Sequence, residues 1–249
     1  MSDSIQVSRF IARLDACFDR NDLRAARETI AAWEQEARAL GDDRGLLSVL
    51  NEAVGFYRRT QKKGKALAAM RECLELVDRL GLQNQLSGAT VYINAATTLN
   101  FFGREEESLA LYEKAARCYE QNGGTATYEY AALLNNKAAA LNALRRYDEA
   151  EAHWRQAVEI LKKEGRHDGE IAISLVMLAH LTYDRDDTAT DQVEKLLDEA
   201  WEYINSPRQP RDGNYAYILR KCAPSFEYFQ RPEAAQALRE VAKEIYEGT

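Results

Sequence analysis

Apolar residues recur along the chain at the spacing of one face of an α-helix. In the stretch YDEAEAHWRQAVEIL they fall at Tyr147, Ala150, Trp154, Ala157 and Leu161, so that intervals of three and four residues alternate. Polar and charged residues occupy the positions between them. Because an α-helix turns once in about 3.6 residues, this pattern predicts an amphipathic helix with one buried face.

A triplet of small, bulky and small residues recurs within these helical patterns. A small side chain lets two antiparallel helices approach closely, and a bulky one a turn later fills the space beyond the crossing. The first residues of the best copies are 42 positions apart. These copies are Ala66/Met70/Cys73, Ser108/Tyr112/Ala115 and Ala150/Trp154/Ala157. Looser copies begin at Ala26, Val193 and Ala235.

Helix breakers separate the predicted helices. Single glycines such as Gly41, Gly81 and Gly165 interrupt the apolar pattern, as do Gly123-Gly124 and Arg231-Pro232. The repeat and its breaks predict about twelve helices of roughly 14 to 19 residues, arranged as six pairs. We expect one domain over residues 1–249, with pairs at about 4–40, 42–81, 84–122, 125–164, 167–205 and 212–247.

The segment LLNNKAAALNALRRYDEAEAHWRQAVEI resembles the tetratricopeptide repeat. It is similar to the 42-residue variety of kinesin light chains and many bacterial repeat proteins. The positions that carry the resemblance are Leu134, Ala138, Leu141, Tyr147, Ala150, Trp154 and Ala157, whereas Lys137 stands where that variety usually has leucine. The resemblance implies an all-α fold, a TPR-like superhelix (a right-handed α-α solenoid) of about six antiparallel helix pairs.

Charge and composition narrow the class of partner. The chain has 33 Lys and Arg against 40 Asp and Glu, a formal net charge of −7, which disfavours a nucleic-acid partner. No apolar run approaches the roughly 18 residues of a membrane span, and the N-terminus lacks the pattern of a signal peptide. Four widely spaced cysteines indicate reduced thiols in the core. We therefore expect a cytoplasmic protein with no membrane contact.

Motifs of catalysis and metal binding are missing from the sequence. Gly64-Lys65 lacks the earlier glycine and the following Ser or Thr of a phosphate-binding loop. The acidic run at 184–191 lacks the central glycine of a calcium loop. The histidines His153, His167 and His180 are too far apart for a helical zinc site. We expect no enzymatic activity, no cofactor and no metal ion.

Candidate binding residues follow from the resemblance, which implies that five positions of each first helix face a concave groove. Asparagine recurs at these positions, and its amide can both donate to and accept from an extended peptide backbone. The alternative is that these amides join neighbouring helices or face water. The candidate peptide-binding residues are Asn51, Arg58, Arg59, Asn94, Asn100, Asn135, Asn136, Asn142, His180 and Tyr183.

Three functions fit these observations. The first is a scaffold or adaptor, monomeric or weakly dimeric, that binds an extended peptide or a partner helix in the groove. The second is a regulatory or chaperone-type subunit that acts through a homodimer or through its convex face. The third is an enzyme or small-ligand sensor with a site near His180 and Tyr183. Because no catalytic motif accompanies the repeats, the sequence favours the first.

Overall fold

A computed structural model describes residues 4–247, in which every regular element is an α-helix and the helices number twelve. The chain divides into two compact units, Met1–Gly123 and Gly124–Thr249, here called unit 1 and unit 2. Unit 1 contains α1 (Val7–Asp19), α2 (Leu23–Leu40), α3 (Asp43–Arg59), α4 (Lys63–Arg79), α5 (Leu86–Phe101) and α6 (Glu105–Gln121). Unit 2 contains α7 (Tyr128–Ala143), α8 (Tyr147–Glu164), α9 (Asp168–Arg185), α10 (Thr190–Ile204), α11 (Gly213–Tyr228) and α12 (Pro232–Glu247).

Consecutive helices pack as antiparallel pairs within each unit. Short turns join α1 to α2, α3 to α4 and α5 to α6 in unit 1, and the helices of each pair contact each other along their length. The second unit repeats this arrangement with α7/α8, α9/α10 and α11/α12. First helices of neighbouring pairs also contact each other, as α3 does with α1 and α5, and α9 with α11. The all-α, TPR-like fold of six helix pairs is confirmed.

The small–bulky–small triplets lie in the core, as the sequence pattern predicts. Ala66, Ser108 and Ala150 have no exposed surface at all. The bulky residues that follow them are equally well covered, since Tyr112 is fully buried and Trp154 is 1% exposed. The 42-residue period of the sequence is therefore the period of helix packing.

The turns within the pairs share a left-handed backbone residue although their sequences differ. Gly103 fills this position between α5 and α6, with φ of 73°. Non-glycine residues fill it in four other pairs, namely Asn21, Gln61, Arg145 and Gln230, with φ between 52° and 60°. A side chain in this conformation costs about 1 to 2 kcal/mol, so packing of the two helices holds the turn. The α9–α10 connection is longer and has no such residue.

The buried small residue at the start of α8 gives a first prediction. Ala150 is completely buried, and replacing it with leucine would add three carbon atoms where the helices leave no space. We expect Ala150→Leu to lower the free energy of unfolding by about 1 to 3 kcal/mol in urea denaturation. Ala152→Leu is the matched control, because Ala152 is exposed on the same helix. If both variants unfold like the parent protein, α8 does not pack through Ala150.

Candidate functional site

The candidate residues of unit 1 lie on the neighbouring first helices α3 and α5. Asn51, Arg58 and Arg59 belong to α3, and Asn94 and Asn100 belong to α5. All except Arg59 are half-buried. These two helices pack side by side.

Asn94 joins α5 to α3 through both ends of its amide. Its Nδ2 donates to the backbone oxygen of Asn51 at 2.7 Å and to the Asn51 Oδ1 at 3.1 Å. Its Oδ1 accepts from Arg58 Nη1 at 2.7 Å. The neighbouring helix uses both the donor and the acceptor of this amide, as in the alternative that the sequence leaves open. Whether a peptide contacts the residue in another way stays a prediction.

Arg58 is a half-buried cation whose protein partners are all uncharged. Besides the Asn94 Oδ1, its Nη1 donates to the Asn94 backbone oxygen at 3.3 Å and to Thr98 Oγ1 at 2.9 Å. Burial lowers the pKa of the Arg58 guanidinium from its ordinary value. No Asp or Glu among residues 4–247 forms an ion pair with Arg58.

The remaining donors of Arg58 have no hydrogen-bond partner among the described residues. Within the described chain, neither Nε nor Nη2 of this guanidinium donates a hydrogen bond. The Nη2 atom lies 4.0 Å from the position that a Cβ would occupy at Gly55. Because glycine has no side chain, the space above α3 stays open beside these donors.

The other two candidates of unit 1 have different surroundings. Arg59 is exposed, and its guanidinium carbon lies 4.7 Å from the centre of the Phe18 ring. Asn100 is half-buried near the end of α5, and no described residue hydrogen-bonds to its side chain. The structure thus brings Asn51, Asn94 and Arg58 into one cluster and leaves Arg59 outside it.

Three candidate asparagines lie on α7 of unit 2. The Asn135 Oδ1 accepts from Ser174 Oγ of α9 at 3.0 Å, so this amide also joins neighbouring first helices. Asn136 is half-buried and makes no side-chain hydrogen bond within residues 4–247. The Asn142 Oδ1 is buried without a hydrogen-bond partner in the same part of the chain. Asn136 and Asn142 thus have polar groups without a described partner, although the Asn142 oxygen is buried, and their peptide-binding role stays a prediction.

His180 and Tyr183 of α9 belong to an aromatic cluster with the end of α11. His180 Nε2 and Ser225 Oγ are 2.9 Å apart, and the imidazole lies 4.8 Å from the Phe229 ring centre. Burial lowers the pKa of His180, against a smaller opposing effect of Asp184. Tyr183 borders an open cleft of about 590 Å³ together with Thr190, Val193, Glu194, Tyr228, Phe229 and Gln230.

Two members of these clusters are absent from the sequence-based prediction. Thr98 lies one helical turn after Asn94 and therefore on the same face of α5. The helical spacing of the sequence could thus predict its contact with Arg58. Phe229 lies in the turn after α11, where no repeat position points to a binding surface. Only the packing of α11 against α9 places its ring beside His180.

The hydrogen bonds of Asn94 give a second prediction. We expect Asn94→Ala to lower the free energy of unfolding by about 1 to 3 kcal/mol, because the change leaves the Asn51 oxygens and Arg58 Nη1 without partners. Asn136→Ala is the control at the equivalent position of α7, where no such bond is lost and alanine favours the helix. Equal melting temperatures for the two variants would contradict the structural role of Asn94.

The fold defines the general class to which this protein belongs. A chain built of helix pairs with the small–bulky–small pattern has the architecture of helical-repeat proteins, whose fold is typical of interaction scaffolds. The family model of the tetratricopeptide repeat matches residues 131–164, which cover α7 and α8. Residues 131–164 thus carry a tetratricopeptide repeat, and the six helix pairs have a TPR-like fold. No curated protein sequence matches the chain.

Solved structures with the same fold have little sequence in common with the chain. BtubC (BKLC) from P. vanneervenii is 19% identical with a TM-score of 0.56, over 98% of this chain and 92% of that one. A putative kinesin light chain of Podosopora anserina with nearly identical TPR-like repeats is 16% identical with a TM-score of 0.58, over 80% and 94% of the two chains. A Rap protein complexed with Competence and Sporulation Factor is 16% identical with a TM-score of 0.59, over 100% and 78%.

The length and hydrophobicity of the helices bear on membrane insertion. None of those between residues 4 and 247 combines the length and the apolar character that crossing a bilayer needs.

Proposed function

We propose that the protein is an interaction scaffold that binds an extended peptide along α3 and α5 of unit 1, with an acidic group of the peptide at Arg58. The observation that carries the proposal is the half-buried guanidinium whose protein partners are all neutral. A buried charge is ordinarily paired, because removing it from water without compensation is costly.

The free donors of Arg58 suit a carboxylate. Nε and Nη2 form one edge of the planar guanidinium, and a carboxylate can accept from both at once in two parallel hydrogen bonds. Asn94 fixes the opposite edge through Nη1, so the side chain is already oriented. Gly55 leaves room for the incoming group. An aspartate, a glutamate or a terminal carboxylate would supply the missing negative charge.

Similar proteins lend support at the level of the fold. The Rap protein, which shares the helix-pair fold, is complexed with Competence and Sporulation Factor. A fold of this kind therefore offers a binding surface in at least one protein. The choice of Arg58 as the binding residue and of an acidic peptide as the partner rests on the side chains of this protein.

The test compares two adjacent arginines of α3. Random peptides displayed on phage are selected on the whole protein, and the dissociation constant of the tightest acidic peptide is measured. We expect Arg58→Gln to weaken it about ten- to a hundredfold, the range for hydrogen bonds to charged groups. Arg59→Gln removes the same charge from an exposed position and should leave binding within about twofold.

Two results would contradict the proposal. One is a selection without enrichment of acidic peptides, and the other is an acidic peptide that binds Arg58→Gln as tightly as the parent protein. Thermal unfolding of both variants shows whether Arg58→Gln has lost its fold, because Asn94 and Thr98 also contact this residue. Arg58→Lys keeps the charge without the two-donor edge and should bind with intermediate affinity.

A second candidate function uses the second helices of unit 1. An open, mostly apolar cleft of about 590 Å³ lies between α4 and α6, with Met70, Leu99 and Leu111 among the residues that line it. This surface fits the alternative of a regulatory subunit that acts as a homodimer. Light scattering after size exclusion tests it, because Ala110→Glu at the exposed edge should convert a dimer to a monomer. A parent protein that is monomeric at high concentration would exclude it.

A further inference from the structure

Glu52 of α3 is a half-buried carboxylate that has no partner within residues 4–247. It neither accepts a hydrogen bond nor forms an ion pair with a described residue. Burial, and to a smaller extent the like charge of Asp15 on α1, raises the pKa of Glu52 from its ordinary value. A paired cation would have the opposite effect on that pKa. The carboxylate is thus held beside a second acid without compensation.

The repeat period shows that Glu52 does not join helices as its equivalent in the next pair does. Glu52 on α3 and Asn94 on α5 are 42 residues apart and hold the same position of successive pairs. Asn94 donates from its amide to Asn51 of the preceding first helix. An ionised carboxylate cannot donate, and the group that acts on Glu52 from its own preceding first helix, α1, is the carboxylate of Asp15. The charge of Glu52 therefore has no favourable contact among the described residues.

Glu52 and Arg58 are both close to Gly55, where α3 has no side chain. Gly55 follows Glu52 by three residues, and residues at this spacing have Cβ positions about 5 to 6 Å apart. Arg58 Nη2 lies 4.0 Å from the position of a Cβ at Gly55. The Glu52 Cβ and the guanidinium are therefore within about 10 Å of each other. They do not pair, because Asn94 and Thr98 hold the guanidinium towards α5. One helix thus presents an unpaired anion and an unpaired cation.

We propose that Glu52 binds a basic group of the same peptide whose acidic group lies at Arg58. The inference rests on the proposed function and adds that the partner carries both charges. A lysine, an arginine or an N-terminal ammonium supplies the same chemistry, because each donates several charge-assisted hydrogen bonds to carboxylates. Asp15, which is exposed, offers a second acceptor beside Glu52.

The distance between the two charges sets the register of the peptide. In an extended chain successive side chains point to opposite faces, and residues two positions apart lie about 7 Å from each other on one face. This spacing fits two charges within about 10 Å, so we expect the base and the acid two positions apart in the peptide. The base lies towards α1 and the acid towards α5, and this difference orients the peptide across α3.

The test titrates short peptides into the isotope-labelled full chain and follows the backbone amide signals by NMR. Three probes share the sequence Ala-X-Ala-Z-Ala and are acetylated and amidated, so that their ends are neutral. The mixed probe has Lys at X and Asp at Z, the basic probe has Lys and Asn, and the acidic probe has Gln and Asp. We expect the mixed probe to bind about three- to tenfold more tightly than either of the others.

Two glutamates of unit 1 provide matched variants. Glu75 of α4 is exposed and forms no ion pair within residues 4–247, so Glu75→Gln removes the same charge as Glu52→Gln. Glu52→Gln should weaken the mixed and basic probes about three- to tenfold and leave the acidic probe within about twofold. Glu75→Gln should leave all three probes within about twofold. Equal effects of the two variants would overturn the site at Glu52.

Thermal unfolding separates binding from a structural role. The melting temperature of Glu52→Gln should equal or exceed that of the parent protein, because the variant removes a half-buried charge that has no partner. A lower melting temperature would mean that Glu52 serves the fold, and the proposal would be wrong. Calcium chloride that displaces the basic probe would likewise overturn it, because the two carboxylates would then bind a metal ion.

Two further sets of probes define the occupant. Arginine at X, or glutamine at X with a free N-terminus, shows which source of positive charge binds best, and dependence on Glu52 in any of them supports the proposal. Placing Lys and Asp next to each other puts the two charges on opposite faces of an extended peptide. This change should weaken the mixed probe, and equal affinity would overturn the spacing of two positions.

Arg58→Gln distinguishes this inference from the proposed function. It should weaken the acidic probe and leave the basic probe within about twofold. If the acidic probe depends on Arg58 but no probe depends on Glu52, the basic-group site alone is wrong. If the basic probe depends on Glu52 but no probe depends on Arg58, the acidic-group proposal alone is wrong.

Discussion

Trp154→Ala is expected to lower the free energy of unfolding by about 3 to 5 kcal/mol. The indole is only 1% exposed and is one of the largest fully buried side chains of the protein. It lies on α8, which packs against both α7 and α9, so that the neighbours on either side are held by their own helices. The neighbouring side chains cannot move into the space that the ring leaves. The resulting cavity therefore adds its cost to the lost free energy of transferring the indole from water into the core.

Urea denaturation followed by circular dichroism measures this loss. Trp201→Ala is the matched control, because Trp201 is half-buried and packs against Phe226 at 5.6 Å. Its truncation should cost clearly less, since water already reaches part of the ring. A Trp154→Ala protein that unfolds at the urea concentration of the parent would show that the triplet does not form the core.

Alkaline pH is expected to destabilise the protein by about 4 kcal/mol between pH 9 and pH 11 through two buried thiols. Burial raises the pKa of Cys73 and of Cys222 from an ordinary value of 9.0 to about 12. In the unfolded chain these thiols ionise near pH 9, whereas in the folded protein they stay protonated. The folded state therefore binds more protons above pH 9, and stability is full below pH 9 and falls as pH rises towards 12.

The slope with pH identifies the groups involved. Each thiol contributes about 1.4 kcal/mol per pH unit within this window, and buried Tyr112, whose pKa is raised to about 12, adds to the slope above pH 10. The free energy of unfolding is measured in urea with a reductant at several pH values. Cys73→Ala should be less stable at pH 8 but have a flatter dependence on pH. An unchanged slope in this variant would mean that Cys73 is accessible to hydroxide.

Most of the fold follows from the sequence because its information is local and periodic. Each helix is marked by apolar residues three and four apart, and the repeat places Ala66, Ser108 and Ala150 at the same position of successive pairs. Packing then needs only short connections and small residues where helices cross. The division into two compact units has no comparable signal, since Gly123-Gly124 resembles the other breaks between pairs.

The candidate site is less predictable because its chemistry depends on contacts between pairs. A helical pattern shows which face of α5 carries Asn94, but not that Asn51, 43 positions earlier, accepts from its amide. Likewise, nothing in the sequence indicates that Arg58 lacks an acidic partner or that Phe229 packs beside His180. Equivalent positions in successive repeats share a direction, whereas their hydrogen-bond partners differ with each neighbouring pair.

The left-handed turns have a consequence for how such a chain can change over evolutionary time. Asparagine, glutamine, arginine and glycine all serve at one position of the turn, and the longer α9–α10 connection replaces the turn altogether while α9 and α10 still pair. The identity of the turn residue is thus not what holds two helices together. Insertions and substitutions in the turns leave the packing of the repeat intact, so new loops can arise there without a new fold. The helices keep the 42-residue period, whereas the turns tolerate different residues and lengths.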